Sequence, residues 1–120
     1  MTRGEITHVE FPADDVERAK AFYEAVAGWE IGQMDEFPGY FMFRTGPAAG
    51  GGLGRRGETV GNTVRVYISV DRLEEAVATA EAHGGSVVQP PTEIPGMGRH
   101  AAVTDPEGSE IGLWEAAPEG

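Results

Sequence analysis

The sequence predicts an α+β fold built from two tandem β-α-β-β-β modules, and an internal repeat is the first reason. When the 120-residue chain is shifted by 57 positions, many of its acidic, alanine and glycine residues coincide, which indicates a duplicated structural unit. In each copy, a strand-like alternation is followed by a helical stripe that ends in glycine. The coinciding pairs are Asp14 and Asp71, Glu17 and Glu74, Ala19 and Ala76, Ala21 and Ala78, Glu24 and Glu81, Ala25 and Ala82, and Gly28 and Gly85.

The two modules are expected at about residues 5–56 and 62–116. A chain of about 55 residues is marginal as an independent fold, so we expect both modules to contribute to one domain over residues 1–120. Two such units predict curved mixed sheets with the helices outside and a cleft where the sheets face each other.

The first strand is predicted at residues 6–11, where polar and apolar side chains alternate. Alternation places Val9 and Phe11 on one face, where they can pack under the following helix. His8 and Glu10 then point to the opposite face, which is the face of the predicted cleft.

Helix signals follow the first strand of each copy. Asp14 or Asp15 can accept the free N–H groups of the first helical turn, and Gly28 supplies a left-handed cap at the other end. In the second copy, Asp71 and Glu74 have the spacing of a capping box.

The rest of the first module is predicted to contain three further strands. Residues 29–34 and 40–44 are the first two, with residues 37–39 as the turn between them. Part of the glycine-rich stretch, residues 48–53, is a third strand in which glycine lets a ligand or another backbone come close. Residues 57–62 are the candidate linker between the modules.

The second module repeats this pattern after a strand at residues 63–70. Residues 86–88 predict a short strand, and the proline- and glycine-rich residues 90–98 predict a long loop beside the cleft. Residues 99–104 and 110–115 predict two more strands.

Composition restricts the possible partners. The formal net charge is −11, which argues against binding to nucleic-acid phosphates, whereas an acidic field attracts cationic ligands. The chain has no cysteine and no apolar run of about 18 residues that would span a bilayer. We therefore expect a soluble, cytoplasmic protein with no nucleic-acid or membrane partner.

Two long strings carry a resemblance to a known family. They are HVEFPADDVERAKAFYEAVAGWE and VYISVDRLEEAVATAEAHGGSVVQPPTEIPGMGRHAAVTDPEGSEIGLWE. Together they resemble the vicinal oxygen chelate superfamily, which includes glyoxalase I, extradiol dioxygenases and bleomycin-resistance proteins. Among its members, the chain is most similar to a bacterial subgroup of small glyoxalase-like proteins. The resemblance implies the glyoxalase/bleomycin-resistance/dioxygenase fold.

The resemblance also implies where metal ligands would lie, on the first and last strands of each module. His8 matches the first-strand position of module one, and its counterpart in module two is Arg65, which cannot bind a metal. Gly112 matches the last-strand position of module two, and residues 46–57 contain no His, Asp or Glu. His8 is therefore the only retained ligand, and we expect no cofactor, with a divalent metal as the alternative.

His8 and Glu10 are the candidate catalytic residues. They share one face of the first strand and could form a base–acid couple or supply two ligands. Arg65 is a candidate ligand-binding residue that could clamp a carboxylate or phosphate, or pair with Glu10 across the sheet; the sequence favours neither. The remaining candidate ligand-binding residues are Tyr67, His100, Trp114 and Tyr40.

Two functions are compatible with these residues. The first is a small-molecule-binding protein with an aromatic-lined, metal-free cleft for a cationic or aromatic ligand. The alternative is a metal-dependent lyase, isomerase or dioxygenase that uses His8, and a metal-independent enzyme with His8 as general base stands between them. We expect a homodimer, with the cleft inside one chain or with modules exchanged between two.

Overall fold

The structure is a computed structural model that describes residues 3–35, 37–47 and 49–118. The described residues form two compact units. The N-terminal unit comprises residues 7–65, and the C-terminal unit comprises residues 66–118 together with residues 3–6. In these described ranges, no helix is both long enough and apolar enough to cross a membrane.

The N-terminal unit contains one helix and four strands. In chain order they are β1 (Ile6–Ala13), α1 (Val16–Ala27), β2 (Gly32–Met34), β3 (Phe37–Arg44) and β4 (Gly50–Arg55). The strands lie side by side in the order β2-β3-β4-β1. β1 and β4 are parallel, whereas β4 pairs with β3, and β3 with β2, in the antiparallel sense.

The C-terminal unit repeats this plan. Its elements are β5 (Arg65–Ser69), α2 (Leu73–Ala82), β6 (Ser86–Ile94), β7 (Gly98–Thr104) and β8 (Glu110–Ala116). The strand order is β5-β8-β7-β6, with β5 and β8 parallel and the other pairs antiparallel. The predicted α+β fold with two β-α-β-β-β modules and mixed sheets is therefore confirmed.

Each unit has its core between its helix and one face of its own sheet. In the N-terminal unit, Trp29 stacks on Phe43 with ring centroids 4.2 Å apart, and Phe11 packs against Tyr23 of α1. This is the side of β1 that strand alternation predicts to be apolar. In the C-terminal unit, the core contains Leu73, Val77, Ala101, Val103 and Leu113.

The predicted turn at residues 37–39 is wrong, because β3 already begins at Phe37. Phe37 pairs with Met34, and Phe41 pairs with the neighbouring Gln33, so residues 38–40 bulge away from β2. Pro38 lies in this bulge, where the missing N–H of proline costs no hydrogen bond to β2.

The predicted long loop at residues 90–98 is also wrong, because β6 continues through Pro90 and Pro91 to Ile94. β6 is the outermost strand of the C-terminal unit, and an edge strand tolerates proline because one of its sides needs no hydrogen-bond donors. Register shifts between Gln89 and Thr92 accommodate the two prolines. The loop is confined to residues 95–97.

The helix caps confirm one prediction and correct another. Asp15 caps α1 by accepting a hydrogen bond from the Arg18 backbone N–H at 3.0 Å. The predicted capping box of α2 is wrong: the N-cap is Arg72, which makes no side-chain capping bond. The Glu74 carboxylate binds Arg99 of β7.

Candidate functional site

The face of the N-terminal sheet opposite α1 brings together three residues that the sequence predicts for the site. His8 and Glu10 lie on this face of β1, as their two-residue spacing requires. Tyr40 lies in β3, and β4 separates β3 from β1. The Tyr40 side chain therefore crosses β4 to reach β1.

The Tyr40 hydroxyl bridges the other two side chains. It donates a hydrogen bond to Glu10 Oε2 at 2.9 Å and lies 2.7 Å from His8 Nε2. The His8 and Tyr40 rings are nearly parallel, with an interplanar angle of 16°. His8, Tyr40 and Glu10 thus form a continuous polar chain, which we call the His–Tyr–Glu chain.

Gly52 makes the crossing of β4 possible. It pairs with Glu10 of β1 and with Met42 of β3. A Cβ atom at this position would overlap the Tyr40 hydroxyl and ring. The neighbouring Gly51 makes room for an aromatic ring on the core face. The Phe43 ring lies 2.5 Å from the position that a Cβ of Gly51 would take. The close approach predicted for this glycine-rich strand is therefore made by aromatic side chains.

Burial affects the protonation of His8. Loss of hydration on burial lowers the pKa of the His8 imidazole below its usual value, because the charged form is the more strongly hydrated one. His8 is therefore neutral at neutral pH. A neutral imidazole has one N–H donor and one acceptor nitrogen, which allows it to accept a proton or a hydrogen bond.

The C-terminal unit has a similar arrangement around Gly112. Tyr67 of β5 is 5% exposed and pairs with Gly112 of β8. A Cβ atom at position 112 would overlap the Tyr67 ring. The ring centroid of Tyr67 lies 6.2 Å from that of His100, so these two predicted residues lie close together on the face opposite α2.

Trp114 lies on the same face of the C-terminal unit. It pairs directly with His100 across β7 and β8, and both side chains are half-buried. Its ring also lies 2.9 Å from the position that a Cβ of Gly98 would take. Arg65, the residue at which the N-terminal unit ends and β5 begins, is 7% exposed, and its guanidinium lies over Gly61.

The strand registers show which positions of the two units are equivalent. Gly52 and Gly112 are the β4 and β8 partners of Glu10 and Tyr67, respectively. Two residues further along these strands, Gly54 pairs with Tyr40 and Trp114 pairs with His100. Both units therefore have a glycine at the same last-strand position, and in each unit a tyrosine fills the space above it.

These positions do not fit the divalent metal that the family resemblance implies. The last-strand ligand positions carry Gly52 and Gly112, which offer no donor atom, and Tyr40 and Tyr67 occupy the space into which a ligating side chain would project. Arg65 is a permanent cation. In the described ranges, no group of three or more His, Asp or Glu side chains is arranged to hold a metal ion.

A separate groove of about 390 Å³ lies at the start of α1. It is on the helix side of the N-terminal sheet, whereas the His–Tyr–Glu chain is on the opposite face. An ion pair between Arg56 and Asp14 at 3.0 Å is part of its wall. The other lining residues are Ala13, Asp15, Arg18, Ala19, Phe22 and Tyr23.

Sequence reasoning selected the members of the His–Tyr–Glu chain but missed how they connect. It considered a direct pair between His8 and Glu10 and treated Tyr40 only as a ligand-binding aromatic. The signal was present in the run Gly50-Gly51-Gly52, because a strand position without a side chain lets a neighbouring side chain cross it. The third histidine, His83, lies at the C-terminal end of α2, and its Nδ1 lies 2.9 Å from the Thr79 carbonyl oxygen.

Comparisons with known proteins agree with this fold. The sequence family described as bleomycin resistance protein-like N-terminal matches residues 5–46. The provisionally named glyoxylase CFP32 of Mycobacterium bovis and Mycobacterium tuberculosis is 35% identical over 113 residues. The match covers 92% of this chain but only 43% of the length of those curated relatives.

Solved structures also share the fold. A glyoxalase/bleomycin resistance protein/dioxygenase superfamily member from Vibrio splendidus aligns with a TM-score of 0.66 at 14% identity, covering 95% of this chain and 99% of that one. Methylmalonyl-CoA epimerase from Mycobacterium tuberculosis aligns with a TM-score of 0.66 at 19% identity, covering 96% and 89%. At these identities the likeness concerns the fold alone.

Proposed function

This chain belongs to the vicinal oxygen chelate superfamily, and from that premise we propose that it binds a small molecule in an aromatic-lined site without a metal ion. The candidate binding groups of the N-terminal unit are those of the His–Tyr–Glu chain. The candidate binding groups of the C-terminal unit are the aromatic rings of Tyr67, His100 and Trp114. The proposal describes binding, and its alternative is the metal-dependent chemistry of other superfamily members.

One observation carries the proposal: the last-strand position of both units is glycine covered by tyrosine. A metal enzyme needs several converging donors in a fixed geometry. Gly52 and Gly112 supply none, and each tyrosine fills the space that a longer side chain would need. The same features favour a ligand site, since such sites combine aromatic walls with a few oriented polar groups.

The chemistry of the residues suggests a cationic or aromatic ligand. Tryptophan, tyrosine and histidine rings stack on planar groups, and tryptophan and tyrosine faces attract cations. The net charge of −11 favours the approach of positively charged molecules. The names of the relatives, a glyoxylase and a methylmalonyl-CoA epimerase, concern activities that this proposal does not assume.

Calorimetric titration separates the two functions. Chelator-treated protein is titrated with Ni²⁺, Co²⁺, Mn²⁺ and Zn²⁺, alongside the variant His8→Ala. We expect no one-to-one binding tighter than the micromolar range. Tight stoichiometric binding that disappears in His8→Ala would overturn the metal-free proposal and establish the alternative.

Tryptophan fluorescence tests the ligand site itself. We expect members of a panel of aromatic and cationic small molecules to quench wild-type emission. The quenching should be lost in Trp114→Phe and retained in Trp29→Phe, because Trp29 stacks on Phe43 in the core of the N-terminal unit. Binding that persists unchanged in both Trp114→Phe and His8→Ala would place the ligand elsewhere and contradict the proposal.

We also propose that the chain forms a homodimer. The outermost strands β2 and β6 of the two units present backbone groups that usually need covering, and Val87 and Val88 of β6 are exposed apolar residues. Light scattering coupled to size-exclusion chromatography should give twice the chain mass of 12.7 kDa. A monomer at micromolar concentration would contradict this.

A further inference from the structure

The groove at the start of α1 has the size of a small-molecule site. Its volume is about 390 Å³, and ligand sites commonly measure about 300–1,000 Å³. Ala13 at the end of β1 and Ala19 in α1 contribute small side chains to its lining, which leaves the space between the larger ones open. The groove therefore has room for a compact ligand with one ring.

An exposed aromatic ring forms one wall of the groove. Phe22 is 57% exposed, although it is a large apolar residue in the middle of a helix. Its ring meets that of Tyr23 edge to face, with centroids 5.1 Å apart and an interplanar angle of 88°. Tyr23 in turn packs on Phe11 in the core of the unit. Phe22 thus rests on a fixed support and offers the rest of its ring as a stacking surface.

The charged groups of the groove are not equally available to a ligand. Arg56 binds the Asp14 carboxylate at 3.0 Å and donates a second hydrogen bond to the Asn62 carbonyl oxygen at 2.7 Å. Asp15 accepts the backbone N–H of Arg18 as the cap of α1. The Arg18 guanidinium itself makes no hydrogen bond or ion pair in the part of the chain that the structure describes. Arg18 is therefore the charge that can bind a ligand without giving up another partner.

The second module shows that the fold does not require these two side chains. Its helix α2 begins at the residue equivalent to the first residue of α1 in the repeat, so positions in the two helices can be compared directly. Glu75 is equivalent to Arg18, and Thr79 is equivalent to Phe22. Thr79 is exposed as well. The arginine and the exposed ring are thus particular to the module that has the groove.

We propose that this groove binds a small aromatic carboxylate, with the carboxylate on the Arg18 guanidinium and the ring against Phe22. Residues four apart in a helix are neighbours on one face, so one compact ligand can reach both. A guanidinium binds a carboxylate through two parallel hydrogen bonds. This site goes beyond the proposed function, because it lies on the helix side of the sheet and takes an anion rather than a cation.

The test is a titration of the full ¹⁵N-labelled chain with phenylacetate, followed by amide chemical shifts. Low ionic strength keeps screening of an exposed charge pair small. We expect saturable shifts at residues 13–23. In Arg18→Gln, the affinity should fall by about five- to tenfold, since a charge-assisted contact is lost from a solvent-accessible site. Phe22→Thr, which copies the second module, should also weaken binding, and Arg72→Gln at the start of α2 should leave it unchanged.

A second probe tests the sign of the ligand charge. Benzylamine has the same ring as phenylacetate but carries a positive charge, and we expect it to cause no saturable shifts at residues 13–23. Equal binding of the two probes would mean that the ring or the two aspartates determine binding, and it would overturn the inference. A phenylacetate affinity unaltered in Arg18→Gln, or the absence of saturable shifts at residues 13–23, would overturn it as well.

The variant His8→Ala separates this site from the proposed function. His8 lies on the face of the sheet opposite α1, so its loss should leave phenylacetate binding and the shifts at residues 13–23 unchanged. If phenylacetate binding disappears in His8→Ala but persists in Arg18→Gln, the groove inference fails and the proposed function stands. Phenylacetate binding that depends on Arg18 supports the groove whether or not a ligand binds at the opposite face.

Discussion

Replacing Gly112 by alanine tests whether the tyrosine above the last-strand glycine is a fixed part of the C-terminal unit. A Cβ at this position would overlap three ring atoms of Tyr67. Tyr67 is 5% exposed, and its ring is confined between Gly112 and His100. The ring therefore has little freedom to move away from the added methyl group.

The magnitude follows from two opposing effects. Overpacking of a well-packed region costs about 1–3 kcal/mol. Replacing glycine by alanine in a compatible backbone stabilises by about 0.4–1 kcal/mol through the unfolded state. We expect Gly112→Ala to lower the free energy of unfolding by about 1–2 kcal/mol, with overpacking as the larger effect.

Urea denaturation followed by tryptophan fluorescence measures this loss. Gly32→Ala is the matched control, because a Cβ at position 32 meets nothing within 4 Å, and it should be neutral or slightly stabilising. The double variant Gly112→Ala/Tyr67→Ala should show that alanine at position 112 costs nothing once the ring is gone. A Gly112→Ala protein as stable as wild type would refute the reasoning.

Two further predictions concern stability. Arg99 holds the pKa of the Glu74 carboxyl at about 2, below its usual 4.5, chiefly through a side-chain hydrogen bond; the pair therefore stabilises the fold above pH 4.5, and this stability is lost as the pH falls toward 2. In a plot of melting temperature against pH, Arg99→Met should flatten the slope between pH 4.5 and pH 2, whereas the exposed control Arg72→Met should leave it unchanged. An unaltered slope in Arg99→Met would contradict this prediction. Asp15→Ala should lower the free energy of unfolding by about 0.5–2 kcal/mol through loss of the α1 cap, whereas Asp71→Ala should leave it unchanged. Chemical denaturation measures both variants. Equal losses in the two would restore the predicted capping box of α2.

The repeat made the fold predictable. Equivalent residues recur 57 positions apart, and each copy shows a period-two strand followed by a helical stripe. Such patterns depend only on local backbone geometry and on burial of one face. The errors in strand assignment occurred where prolines lie in strands. Pro38 lies in a bulge and Pro90 in an edge strand, and both positions depend on which strands become neighbours.

The candidate site was predictable as a set of residues but not as a hydrogen-bonded network. Alternation alone puts His8 and Glu10 on one face of β1, two residues apart. Tyr40 is 30 residues further along the chain than Glu10, and only the pairing of β3, β4 and β1 brings it between them. Sequence spacing contains no information about a contact that requires one side chain to cross an intervening strand.

The sequence by itself therefore determined the duplicated β-α-β-β-β plan and the apolar face of each first strand, because both follow from local periodicity. The tertiary structure decided what fills the space left at Gly52 and Gly112. In both cases it is a tyrosine from another strand. Strand order and register arise from long-range pairing. They bring each tyrosine over its glycine and place the Tyr40 hydroxyl within hydrogen-bond distance of His8.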